Sequence, residues 1–469
     1  MPSRGISRRQ ALEQTALGFG KIATLAMLGR TSSAAADDAL SPALPVPAPH
    51  FAPRARRVLF LFMHGGPSHL DTFDYKPLLE RDSGKPLPYA KPRIQFAATG
   101  NLMKSPFSFA QHGQSGAWVS SLFPNVARHV DRLCFLKAMH GTNAAHGGAL
   151  LKLHTGSENF IRPSMGSWIS YGLGTDNANL PSFITICPTL GHGGVRNFSS
   201  AFLPGEHQGT ALGHSGTPAE KVAVHNIAHP DSDLGAPKSR IEMIRKLHRI
   251  HQQDFGMESE LEARIKSFEL AFRMQMEAPE SMDWQSESEA TRKLYGIEEP
   301  GTRNFGIQCL MARRFLEKGV RFVQVSHSYK WDQHSDLEKL HSRNAAEVDL
   351  PIAGLLADLD ARGLLEETLV IWGGEFGRTP TAQGSNGRDH NPHAFTMWMA
   401  GGGTRPGLSY GETDDYGFYT ATDAVDVHDF HATLLAILGI DHKKLTYRYA
   451  GRDFRLTDVH GRVIHDILA

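Results

Sequence analysis

Glu375, Asp389, His390 and His393 lie close together in the chain, and each carries a side chain that ligates divalent cations. They follow Leu369-Val-Ile-Trp-Gly-Gly374, an apolar run that ends in two glycines. A buried parallel strand delivers ligands in this way at its C-terminal end, where open α/β sheets bind their substrates. The chemistry implied is metal-assisted: a divalent cation held by neutral imidazole and ionised carboxylate. Zinc, manganese and calcium are all candidates.

Three further clusters have the same character. His64, His69 and Asp71 follow the run Val58-Leu-Phe-Leu-Phe-Met63. His140, His146 and His154 follow Leu133 to Met139, and His327, Asp332 and His334 follow Val320 to Val325. The expected metal ligands are His64, Asp71, His146, Asp332, His334, Glu375, Asp389 and His390. Each has a plainer reading beside it. Asp71 suits a helix cap or turn, Glu375 an ion pair with Arg378, and Asp389 a salt bridge with Arg388. His390 is preferred over His393 as a ligand. Arg378 either binds an anionic oxygen bidentately or makes a structural pair. His140 and His154 read as packing or support, and His428 and His431 as lying outside the cluster. Gly191-His-Gly-Gly194 and Gly401-Gly-Gly403 lack the Lys and spacing of a phosphate-cradling loop and read as turns. No GxSxG elbow supports a serine triad.

The elements that must position these residues alternate. Strands are predicted at Val58–Met63, Leu133–Met139, Ser182–Cys187, Val320–Val325, Thr368–Trp372 and Phe395–Met399. Helical spacing marks Gly147–His154, Ser239–Met276, Phe305–Lys318, Val348–Arg362 and Val427–Leu438. Strands alternating with helices predict an α/β fold, a doubly wound, mostly parallel sheet with helices on both faces.

The 469 residues suffice for one large domain or two ordinary ones, and Lys+Arg and Asp+Glu balance at 49 each. No basic run suggests a nucleic-acid partner. The 25 histidines raise the prior for metal chemistry. Three distant cysteines exclude a CxxC zinc site and read as buried thiols. At the N-terminus, Arg8-Arg9, a weakly apolar stretch and Ser32-Ser-Ala-Ala-Ala36 read as a twin-arginine export signal, too short and polar to span a membrane. The expected organisation is a signal at 1–36, a Pro/Ala-rich linker at 37–56 and one α/β domain at 57–469, with a helical insertion at about 236–300. Localisation is then periplasmic or secreted. Oligomeric state is left open.

Phe62-Met-His-Gly-Gly-Pro-Ser-His69, together with Gly374-Glu-Phe-Gly-Arg-Thr-Pro380 and Gly387-Arg-Asp-His390, resembles a bacterial family of twin-arginine-exported, sulfatase-like proteins of undefined function. More widely, the chain resembles the alkaline phosphatase and sulfatase superfamily, which implies an alkaline-phosphatase-like fold. In that comparison His64 stands where a sulfatase has its first metal-binding aspartates. His146 falls on the nucleophile position, Glu375 on an aspartate ligand, Phe376 on a histidine ligand and His390 on a later basic residue. Asp332 and His334 resemble ligands of the phosphatase branch. The resemblance implies a metal-dependent hydrolase of phosphate or sulfate esters, acting on a small-molecule or glycan anionic ester. His146 is its catalytic residue, as nucleophile or ligand, with Arg378 steadying the anion. No Ser, Thr or Cys occupies the nucleophile position, and Thr142 is a distant substitute. The alternative implied is a degenerate module that binds sulfated or phosphorylated glycans without turnover.

Overall fold

The computed structural model describes residues 48–90, 98–222 and 259–469, with two single positions, 243 and 246, between the last two ranges. The twin-arginine segment, most of the linker and the first half of the predicted Ser239–Met276 helix lie outside the described residues. Eleven strands are used below: β1 (Arg57–Met63), β2 (Leu133–His140), β3 (Phe183–Ile186), β4 (Thr210–Leu212), β5 (Phe322–His327), β6 (Thr368–Gly373), β7 (Gly377–Gln383), β8 (Gly387–Asn391), β9 (Phe395–Ala400), β10 (Ser409–Tyr410) and β11 (Val425–Asp426). The helices are α1 (His146–Thr155), α2 (Met165–Leu173), α3 (Ser259–Met282), α4 (Pro300–Glu317), α5 (Leu337–Ala361) and α6 (Val427–Ile437).

Nine strands form one sheet in the order β10-β2-β9-β6-β1-β5-β3-β4, with β11 also paired to β2. β1 lies at its centre, parallel to β5 on one side and β6 on the other. β9 runs antiparallel to both its neighbours, and the remaining pairings are parallel. The mostly parallel α/β sheet expected from the strand–helix alternation is therefore the one observed.

Period-two alternation in β1 assigns its side chains to two layers. Leu59, Leu61 and Met63 pack with Ile307 and Leu310 of α4 and Val348 and Ile352 of α5. Val58, Phe60 and Phe62 pack with Leu150 and Leu153 of α1, Trp168 of α2 and Phe430 of α6. Burial on both faces explains why the parallel strands read as continuous apolar runs rather than alternating ones. Cys134, Cys187 and Cys309 are buried free thiols within this core.

Two elements differ from the sequence-based expectation. Helix α5 begins at Leu337, well before the expected Val348, because the buried face of its first turns is polar: His341 and Asn344. Those residues tie down two loops, His341 Nε2 accepting from Ser68 N at 3.2 Å and Asn344 Nδ2 donating to Lys330 O at 2.5 Å. The segment after Glu375, expected as a loop, is the antiparallel hairpin β7–β8. Its polar sequence hides two fully buried arginines, Arg378 and Arg388.

Candidate metal centre

The C-terminal ends of β1, β2, β5 and β6 open on the same edge of the sheet, and the residues that follow them converge. His64 follows β1, His146 starts α1 after β2, Asp332 and His334 lie in the loop after β5, and Glu375 follows β6. The hairpin folds back to add Asp389 and His390. Gly65 makes this approach feasible. It adopts φ +116°, and a Cβ there would lie 2.8 Å from the backbone nitrogens of Trp331 and Asp332.

Glu375 is the inner anchor. Its Oε1 and Oε2 accept from Gly65 N at 3.0 and 3.2 Å, and Oε1 lies 2.7 Å from His146 Nδ1 and 4.0 Å from His64 Nε2. Asp332 is the outer anchor. Its Oδ1 lies 3.1 Å from His390 Nε2, 2.9 Å from His334 Nε2 and 2.7 Å from Arg378 Nη2. Its Oδ2 accepts from the Tyr329 hydroxyl at 2.7 Å and lies 3.3 Å from His146 Nε2, outside hydrogen-bond geometry. His146 thus sits between the two carboxylates, one facing each ring nitrogen. His334 Nδ1 lies 3.8 Å from Asp389 Oδ1. Three overlapping sets have ligand atoms close enough to share a cation: His64, His146 and Glu375; His146, Asp332 and His390; and His334, Asp389 and His390.

The charges follow from burial and pairing. Burial pulls the His64 imidazole down to about 4 against the opposing pull of Glu375, so the ring is neutral. Burial also opposes charge on His146, but Asp332 and Glu375 outweigh it and raise its pKa. Burial opposes ionisation of Asp332 and Glu375 as well. The close His146, His334 and His390 rings and the Arg378 charge hold Asp332 well below the usual carboxylate range, while His146 and His64 lower Glu375. His390 is lowered by burial, and His334 is raised mainly by Asp332. The neutral His64 imidazole beside ionised carboxylates offers donors of the kind a divalent cation requires. His64 supplies the sharpest test of fit. It is 1 % exposed, and neither ring nitrogen has a hydrogen-bond partner. Buried polar atoms left in that state are costly unless something else satisfies them.

Asp71 is not brought into the cluster, and Arg378 reaches it only at Asp332. Asp71 pairs with Arg388, its Oδ2 2.7 Å from Nε, with both side chains fully buried. The Arg388 charge and hydrogen bonds overcome burial and lower the Asp71 pKa. Arg378 is spent on the backbone: it donates to Gly66 O at 2.9 Å, Trp331 O at 3.1 Å, Arg388 O at 3.2 Å and also Gly65 O. With Nη2 also 2.7 Å from Asp332 Oδ1, it locks three loops together instead of presenting a free fork to an anion. Phe376, in place of a ligand, lies with its ring 4.8 Å from His146 and 4.5 Å from His390. Among the other histidines singled out, His69 bonds Gly417 O, His154 bonds Leu150 O, and His327 bonds Glu347 and Trp331. His428 and His431 bond the carbonyls of Gly156 and Leu153.

Two residues of the site escaped the sequence reading. Tyr329 lies over the cluster, its ring 4.8 Å from His64 and 5.4 Å from His146. His192 stacks on His146 at 5.0 Å and 27°. The signal for His192 was present: Gly191-His-Gly-Gly194 follows β3 at the same end of the sheet, but its glycines read as a turn.

No curated protein matches the chain. Among solved structures, the chain is similar to the lipoteichoic acid synthase LtaP from Listeria monocytogenes, at 8% identity over 87% of this chain and 76% of that one, with TM-score 0.39. It is also similar to the PsFucS1 sulfatase from Pseudoalteromonas sp., at 12% identity over 82% and 68%, TM-score 0.34. A third is the alkaline phosphatase from the Antarctic bacterium TAB5, at 9% identity over 78% and 96%, TM-score 0.32. At TM-scores below 0.5, these likenesses carry nothing about chemistry. The family match covers the whole described α/β unit: residues 55–468 fit the family described as "Protein of unknown function (DUF1501)", and the chain belongs to that family.

Proposed function

We propose that the protein is an exported, metal-dependent hydrolase of phosphate or sulfate esters. The observation that carries this reading is His64, buried with both ring nitrogens unsatisfied, beside Glu375 and His146. His64, His146 and Glu375 would hold one cation; Asp332, His390, His334 and Asp389 offer further ligands on the other side of His146. The imidazole-rich set favours zinc or manganese over calcium, which prefers oxygen ligands. A bound cation would supply Lewis-acid polarisation of an ester oxygen.

The chain's own residues orient and shield. Gly65 N fixes the Glu375 carboxylate, and Glu375 fixes the His146 ring through Nδ1. His146 acts here as a ligand and not a nucleophile, because it belongs to two of the three sets whose donor atoms converge. Arg378 is a positioning residue that holds the loops after β1 and β5 around Asp332. The Tyr329 hydroxyl, with its pKa raised by burial and by Asp332, remains protonated as a donor at the open side. The N-terminal segment directs export by the twin-arginine route to the periplasm or beyond. Among the described residues, no helix is long and apolar enough to cross a membrane.

The test is elemental analysis of protein purified after native export without chelators, with turnover of p-nitrophenyl phosphate and p-nitrophenyl sulfate. Stoichiometric metal and turnover, both lost in His146→Ala and Glu375→Ala, are expected. A metal-free protein whose variants behave like the wild type would end this reading. His146 standing where the resembled sulfatases have their nucleophile, with no Ser, Thr or Cys there, favours one rival, a module that binds sulfated or phosphorylated glycans without cleaving them. Anion binding without turnover would select it.

A further inference from the structure

Beyond the ligands, the mouth of the centre has an aromatic character that ester chemistry alone does not call for. His192 and Tyr329 pack against each other there, with ring centroids 4.8 Å apart and planes inclined at 56°. Both also pack on the ligand rings. His192 lies 5.0 Å from His146 and 5.7 Å from His64, and Tyr329 lies 5.4 and 4.8 Å from the same two. The two rings therefore stand between the buried ligands and solvent. Both are solvent-exposed, Tyr329 at 42%.

The backbone holds His192 in place deliberately. It adopts a left-handed φ of +46° between Gly191 and Gly193, and Asn197 Nδ2 donates to its carbonyl at 3.3 Å. A non-glycine residue in this region costs on the order of 1 kcal/mol, and such strain clusters at ligand-holding sites. No group among the described residues hydrogen-bonds the His192 ring, so local side-chain bonding does not explain its placement. Leu190 and Val195, close to it on the same loop, are 57% and 59% exposed. Large apolar side chains at such exposure, two and three residues from His192 in the chain, would extend an aromatic surface suited to an apolar planar group.

We infer that His192 and Tyr329, with Leu190 and Val195, form a subsite for a planar, aryl-like organic group attached to the anion bound at the centre. This rests on the proposed reading of the metal centre and adds the class of organic group it accepts. Charge would be recognised by the buried ligands and their cation, and the ring by stacking at the mouth. A polyhydroxylated sugar would instead call for hydrogen-bonding side chains at that position.

The probes are two non-hydrolysable anions, phenylphosphonate and methylphosphonate, titrated calorimetrically into the natively purified protein. Wild type is expected to bind phenylphosphonate about tenfold more tightly than methylphosphonate. His192→Ala and Tyr329→Leu are expected to reduce that preference to about threefold or less while metal content is retained. Tyr329→Phe, which keeps the ring and loses the hydroxyl, is expected to keep the preference. Equal binding of the two phosphonates by wild type, a preference unchanged in both ring-removing variants, or no binding of either would overturn the subsite. Because binding is read without turnover, its failure is distinct from failure of the hydrolase reading, which metal analysis and ester cleavage decide.

Discussion

Two carboxylates at strand ends have opposite fates, and each makes a prediction. Glu375 has a neutral His64 and a paired His146 at its oxygens. Glu375→Gln keeps the shape and removes the charge, so cation affinity is expected to fall by about tenfold or more in competition with a chelator. Asp71 instead neutralises the buried Arg388. Asp71→Ala leaves that guanidinium unpaired and is expected to cost about 3–5 kcal/mol in denaturant unfolding. Metal stoichiometry in the folded fraction of that variant should be unchanged; a lost cation would return Asp71 to the ligand set.

Close approach of backbone segments, more than any single bond, assembles the loops. A Cβ on Gly387, in β8, would lie 1.9 Å from His334 O, and one on Gly65 would meet the backbone at Trp331 and Asp332. Gly387→Ala and Gly65→Ala are each expected to destabilise by more than the roughly 1 kcal/mol of an ordinary backbone substitution. Both should also weaken cation binding, since each pushes the loop after β5 away from its partner. Unchanged melting temperature and metal content in both would show that these elements tolerate a looser fit. Helix α5 belongs to the same scale: its polar first turns hold the β1 and β5 loops from below, and the site depends on that helix beginning early.

For the molecule as a whole, buried histidines outside the centre set an acid limit. Burial pulls His341 and His431 down to about 3, against 6.5 in an unfolded chain. On acidification the unfolded state therefore takes up protons first. Their contribution to stability is complete above pH 6.5 and is lost as pH falls toward about 3, by up to about 1.4 kcal/mol per pH unit for each. Urea unfolding as a function of pH should show this loss. The slope between about pH 6 and pH 4 should become shallower by nearly one proton in His431→Gln. An unaltered slope would mean that the ring is protonated in the folded protein.

Much of this architecture was legible before any coordinates. Runs such as Val58–Met63 and Thr368–Trp372 are apolar because both faces of their strands are buried, a property the chain carries locally. The rule that ligands follow such strands found His64, His146, Asp332, His334, Glu375, Asp389 and His390, whose side chains converge in the three candidate sets. Partnership was not legible. Asp71 and Glu375 are alike as carboxylates near glycine-rich turns, and only the folded hairpin shows that Arg388 reaches one and not the other. Arg378 reads as an anion clamp until its donors are seen to end on backbone carbonyls. His192 was hidden in a glycine turn because its importance lies in which rings it stacks on. Residue type and periodicity determine what an element is and what its side chains can do. Which side chains meet depends on distances between segments far apart in the chain, and tertiary packing alone sets those.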